Sequence, residues 1–243
     1  MSTTASVQQL VVKLVKQLEA LGLESYRNTL RKHGAQEPLF GVKIEEMKKL
    51  MKPYKNDLDV ACALFDTGIY DAQYMAGLLA DGSKMSATQL QHWVATANSH
   101  GIREYSVAWV TAESTHAMSL ALAWIDSDNP DIAAAGWCTL SSYISITEDA
   151  ELDADLLHKL LKRVQAEIHH APNRVCYCMN GFVIALGSYV TALSDAAIQA
   201  GKTIGEVVVD VGDTSCKVPF APDYIAKVAQ RGSLGKKRKT TKC

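Results

Sequence analysis

Long apolar runs are missing from this sequence: no stretch approaches the roughly 20 residues a bilayer-spanning helix needs, so a membrane protein is not expected. The opening MSTTASVQQL lacks the basic flank and apolar block of a secretory signal, which makes the cytoplasm the expected location. Paired cysteine patterns are missing too. Cys62, Cys138, Cys176, Cys178, Cys216 and Cys243 are scattered, with no CxxC, through a chain too large to need disulfide staples. Cys176 and Cys178 lie two apart in a helical pattern and point to different faces, which makes them a poor metal clip, so neither a metal site nor a cofactor is expected. Proline is scarce, at 6 of 243 residues, and hydrophobic residues make up 48%, so extended disorder is excluded and a sizeable core is available.

A large net charge is also absent, since the total is −1, but its distribution is uneven. Residues 1–55 hold ten Lys/Arg against five Asp/Glu, whereas residues 56–157 hold two against fifteen. Residues 158–230 are nearly balanced at seven against six, and residues 231–243 carry six cations with no acid. A phosphate backbone would therefore meet its cations in the N-terminal helices, near 158–174, or in the tail.

What the chain does have is helical periodicity. Val7, Leu10, Val11, Leu14, Val15, Leu18 and Leu21 form one stripe that stops at Gly22. Ser25 is placed to cap a short helix to His33 that carries Arg27, Arg31 and Lys32, and Pro53 ends a helix built on Ile44, Met47, Leu50 and Met51. Paired helices follow, with first members starting near Leu58, Ser86, Thr115 and Asp153 and second members near 71, 100, 130 and 174, the pattern of an α-solenoid. Ser86 with Gln89 forms a capping box, Asn129-Pro130 opens a helix, and Trp93, Trp109, Trp124 and Trp137 fall on inward faces as core anchors. Asn173–Val190 reads as a long helix whose Gly181 and Gly187 suggest close approach of another backbone or room for a ligand. A change to period two at Val207, Val208, Val209 and Val211 implies a small hairpin or an ordered loop, and a last helix starts near Pro222. The expected organisation is a solenoid over residues 1–200, an irregular extension over 201–231 and a mobile basic tail over 232–243.

The stretch Asn98–Trp109, NSHGIREYSVAW, concentrates chemistry. Its turn opens a helix that carries Glu104 into the first turn, between His100 and Tyr105. An acid there complements the helix dipole, and with two rings beside it could also stabilise a cationic substrate.

Five segments, LFGVKIEEMKKL, YDAQYMAGLLAD, AWIDSDNPDIAAAGW, EIHHAPNRVCYCMN and GEVVVDVGDTSCKVP, together resemble the DNA alkylation repair family of HEAT-like-repeat glycosylases, over about residues 20–225. The resemblance implies an all-α right-handed superhelix of HEAT-like helix pairs and a groove that holds DNA. It also implies hydrolysis of the N-glycosidic bond of cationic alkylated purines, where a carboxylate stabilises the oxocarbenium-like transition state. The family's Asp falls on Glu104, the Trp before it on His100, the later Trp on Phe182 and the groove Arg near Ala134. On that mapping Glu104 is the catalytic acid, and His100, Tyr105 and Phe182 bind the substrate. Arg27, Arg31, Lys32, Arg163, Arg174, Lys236, Lys237, Arg238 and Lys239 contact phosphates. The alternative is a non-catalytic scaffold that binds branched or damaged DNA or a protein partner. A DNA-binding role would associate the protein with the nucleoid.

Overall fold

The computed structural model describes residues 4–242. All regular structure among the described residues is helical. α1 (Thr4–Leu21), α2 (Glu24–Lys32) and α3 (Ile44–Met51) come first, followed by α4 (Leu58–Phe65), α5 (Tyr70–Leu79) and α6 (Ala87–Thr96). A π-helical segment, Ile102–Val107, runs into α7 (Ala108–Ala112). Then come α8 (Ala117–Ile125), α9 (Pro130–Ile146), α10 (Ala154–Glu167), α11 (Asn173–Tyr189), α12 (Ser194–Ile204) and α13 (Ala221–Gln230). Among the described residues, no single helix is long and apolar enough to cross a membrane. Two compact units meet in sequence at His116/Ala117. The first comprises residues 1–116 with 212–214 and 242–243, the second residues 117–211 with 215–241.

Local chemistry sets several helix starts. Asp57, Asp81 and Asp153 accept the backbone N–H groups of Val60 (3.1 Å), Ser83 (3.2 Å) and Leu156 (2.9 Å), filling donors that an open first turn leaves unpaired. The Ser86 capping box is complete in both directions. α2 differs from expectation: Leu23 occupies the cap position with no side-chain bond, because the helix already begins at Glu24 and Ser25 lies inside it.

In the first unit, α1, α4, α5 and α6 bury Leu14, Leu18, Leu64, Phe65, Met75, Leu79, Leu90 and Trp93. Phe65 and Trp93 stack with ring centroids 4.1 Å apart and planes 7° from parallel, a pairing that contributes about 1 kcal/mol beyond the area it buries. Asp71 fastens the loop before α3. Its fully buried carboxylate accepts the N–H groups of Phe40 (2.6 Å), Gly41 (3.3 Å) and Val42 (2.7 Å). Burial raises its pKa, and the three N–H groups oppose that shift.

In the second unit, α9 and α11 pack along their length around Trp137, Leu140, Ile144, Phe182, Val183 and Leu186. All four tryptophans are buried as core anchors. Gly187 answers a close approach, since a Cβ there would lie 2.4 Å from Ile225 Cδ1 of α13, but Gly181 faces open space. Residues 205–220 form an ordered loop without strands. Val207 and Val209 point inward and Val208 outward, as in a strand, but the pairing partner is a side chain: the Asn173 amide donates to Asp210 O and accepts from Asp210 N, both at 2.8 Å.

The described part of the tail lies against the fold. Gly235 N–H donates to Ser188 O (2.8 Å) and Arg238 N–H to Ser145 O (2.7 Å), so the chain caps the carbonyl ends of α11 and α9. Lys237, with a side chain only 9% exposed, donates to Ile144 O (3.0 Å) and pairs with Asp149 (2.8 Å). In the first unit, Lys242 donates to Ala80 O at the end of α5 and pairs with Glu113 at 3.4 Å. Composition alone pointed to disorder because the tail buries little apolar surface; charged donors meeting unpaired helix carbonyls supply the order instead.

Candidate functional site

The helix bearing Glu104 opens where Ser99 O accepts the N–H groups of Ile102 (3.1 Å) and Arg103 (3.2 Å). From Ile102 to Val107 it is wound as a π-helix, a rare form that enlarges the turn and recurs at functional positions. Its neighbour α5 comes close enough that a Cβ on Gly77 would stand 2.4 Å from Ser106 Cβ, so only glycine fits there. Glu104 is 4% exposed, and Tyr105, the next residue, is 48% exposed.

A run of rings surrounds this segment. Tyr105 lies 5.6 Å from Trp109, Trp109 meets Tyr74 edge-on at 5.8 Å, and Tyr74 stacks loosely on Tyr70 at 6.5 Å. Tyr70 is held protonated: burial raises its pKa, and Tyr26, Asp71 and Tyr105 add to the shift. Neither Tyr70 nor Tyr74 was a candidate from sequence. Their signal was the i,i+4 spacing within YDAQY, which reads equally well as ordinary packing of a helix whose ten residues are all buried. The rings form an aromatic run of which Tyr105 is the exposed member, chemistry suited to a flat cation.

His100 and Tyr105 stand with Glu104 on this segment, although the His100 ring is partly engaged elsewhere. It covers Gly34, where a Cβ would lie 2.3 Å from His100 Cε1. Phe182 is fully buried in the second unit, its ring centre 5.3 Å from that of Trp137. Ala134, at the family's groove arginine, is also fully buried; its methyl belongs to the core around Trp137.

The phosphate-binding candidates divide by how they are engaged. Arg27 and Arg31 are tied to Glu37 at 2.9 and 2.8 Å, and Arg31 also to Glu24 at 3.1 Å. The hydrogen bonds from Arg27 and Arg31 hold the Glu37 carboxyl below the usual carboxylate range. Arg163 pairs with Asp126 (2.6 Å) and Glu167 (2.9 Å) and lies 5.9 Å from the Trp137 ring centre. Arg174 covers Tyr177 at 4.5 Å. Lys237 is spent on the fold, whereas Lys32, Lys236, Arg238 and Lys239 remain exposed. Much of the acidic excess of residues 56–157 is likewise accounted for locally, by the caps Asp57, Asp81 and Asp153 and by the ion pairs of Asp126 and Asp149.

Comparison with known proteins places these features in a family. The model of the DNA alkylation repair enzyme family matches residues 14–207. The uncharacterized protein Lin0241 of Listeria innocua is 31% identical over 224 residues, covering 90% of this chain and 97% of the relative. Lmo0209 of Listeria monocytogenes, also uncharacterized, is 30% identical over the same length and coverage. A solved structure described as "a new family of proteins related to the HEAT-like repeat DNA glycosylases with affinity for branched DNA structures" superposes with a TM-score of 0.88. It is 32% identical, with 95% of this chain and 98% of that one covered. The helix pairs thus form a HEAT-like fold, and the chain belongs to the DNA alkylation repair enzyme family.

Proposed function

We propose that the protein binds DNA at branches or damaged positions through its exposed cations and does so without excising a base. The observation that carries the reading is the similarity, at 32% identity and a TM-score of 0.88 over nearly the whole of both chains, to a protein described as having affinity for branched DNA. The site supports the non-catalytic part. The carboxylate is a Glu where the family has an Asp, the ring expected from Phe182 is sealed in the core, and the groove arginine is replaced by the buried Ala134. A displacement of about 1 Å at a reacting group can cost on the order of 100-fold in rate, so the longer acid alone would reduce excision sharply.

Affinity on this reading is mostly electrostatic. Lys32, Lys236 and Lys239 reach phosphates directly, and Arg27 and Arg31 reach them by exchanging Glu37 for phosphate, since exposed ion pairs contribute only about 0–1 kcal/mol. The test compares a four-way junction with a linear duplex of the same sequence in a mobility-shift titration at matched salt. Tighter binding of the junction is the expected result, and equal affinities would overturn the branch preference.

A second reading, excision of a cationic alkylated purine, is favoured by the buried Glu104, which immediately precedes the exposed Tyr105 of the Tyr105–Trp109 pair. Release of methylated purines from alkylated DNA by the wild type, lost in Glu104→Gln, would establish it in place of the first.

A further inference from the structure

Across the packed faces of α9 and α11, Cys138 and Cys178 place their sulfurs 3.2 Å apart, although 40 residues separate them in sequence. Neither is in a disulfide. Cys178 is buried at 2% exposure, whereas Cys138 is only partly buried.

A disulfide needs an approach to about 2.05 Å, a closure of about 1.1 Å that side-chain rotation and a small helix shift can supply.

We propose that Cys138 and Cys178 are a peroxide-reactive dithiol that closes reversibly to a disulfide joining α9 to α11. Cys138 loses its proton to solvent and its thiolate attacks one oxygen of the peroxide; the O–O bond breaks, leaving a sulfenic acid on Cys138 and releasing hydroxide. The Cys178 sulfur then attacks the Cys138 sulfur. The S–O bond breaks, and the departing hydroxide leaves as water with the Cys178 proton. Two thiols and one hydrogen peroxide give one disulfide and two waters, the sulfurs supplying the two electrons. A dithiol reductant reverses the change by exchange.

The experiment treats the full chain with stoichiometric hydrogen peroxide, blocks remaining thiols with iodoacetamide, and maps the non-reduced digest by mass spectrometry. The expected product is a cross-linked peptide pair containing Cys138 and Cys178, removed by dithiothreitol and absent from Cys138→Ser. Because the bond closes a loop of some 40 residues, oxidation also raises the melting temperature, by roughly 5–15 °C, in the wild type but not in Cys138→Ser. The wild-type digest decides the matter even if the variant folds poorly. Sulfinic acid at Cys138 with no cross-link, or oxidation confined to the exposed Cys216, would overturn the proposal.

Discussion

Lys237 and Lys239 stand two residues apart in a tail whose composition treats them alike, and the structure gives them opposite roles. Lys237 spends its ammonium on Ile144 O and Asp149 and is 9% exposed at the side chain; Lys239 is exposed. Replacing Lys237 with Met keeps the apolar stem and removes only the charge. The hydrogen bond to the carbonyl is charge-assisted and contributes roughly 1.5–3 kcal/mol, while Asp149, at 42% exposure, keeps much of its hydration and adds at most about 1 kcal/mol. The net loss is about 2 kcal/mol. For a chain of this size that lowers the melting temperature by roughly 4–8 °C, whereas Lys239→Met should shift it by about 1 °C or less. Circular dichroism melts at 222 nm measure both. DNA binding should sort the same pair in reverse: Lys239→Met reduces the slope of log K against log salt by about 0.9, and Lys237→Met leaves it unchanged. Equal melting temperatures for the two variants, or a flattened salt slope in Lys237→Met, would refute the claim that Lys237 is a cap and Lys239 a phosphate contact.

Other outcomes follow from the same contacts. Burial, with the charges of Asp66 and Asp59 nearby, pushes the Cys62 thiol up to about 11, so at pH 8 only about one molecule in a thousand carries the thiolate. Alkylation should therefore label the exposed Cys216 far faster than Cys62, with the Cys62 rate climbing as pH rises towards 11; equal rates at pH 8 would contradict this burial. Gly77→Ala drives a methyl into Ser106 and should cost about 1–3 kcal/mol in urea unfolding, and a neutral result would mean that α5 and the π-helical segment are not so closely packed. Glu37→Gln removes one of the two carboxylates that pair Arg27 and Arg31, leaving Glu24, so it should tighten DNA binding at low salt and steepen the salt slope by about 0.9 for each cation that engages; an unchanged slope would remove α2 from the interface. Because the folded Glu37 carboxyl lies below its unfolded value, its pairing stabilises the fold above the unfolded pKa and is lost as pH falls through the folded one. Wild type and Glu37→Gln should therefore converge in stability under acid, as melts across that range would measure.

The sequence by itself determined the helices, because their signals act over three or four residues. Ser86 and Gln89 close a capping box, Asp153 and Asn129 sit where the first turn needs an acceptor, and the four tryptophans follow the buried stripes. It also placed Glu104 near the start of a helix between His100 and Tyr105, and the family followed from the order of five segments. What only the tertiary structure decided involves partners far apart in the chain. No local rule pairs Lys237 with a carbonyl 93 residues earlier, or sets the Asp71 carboxylate against backbone groups near residue 40. Phe182 carries the periodicity of a buried position and the ring of a binding one, and only the arrival of Trp137 decides between them. The π-helical winding of residues 102–107 has the same origin. Nothing in IREYSV forbids an ordinary α-turn, and the glycine that lets α5 pack tightly against it lies at position 77, outside any local window. Propensity and capping energies amount to about 1 kcal/mol each and act on neighbours, so they fix where helices begin and end; which charges are spent and which rings stay open depends on contacts that only the folded chain creates.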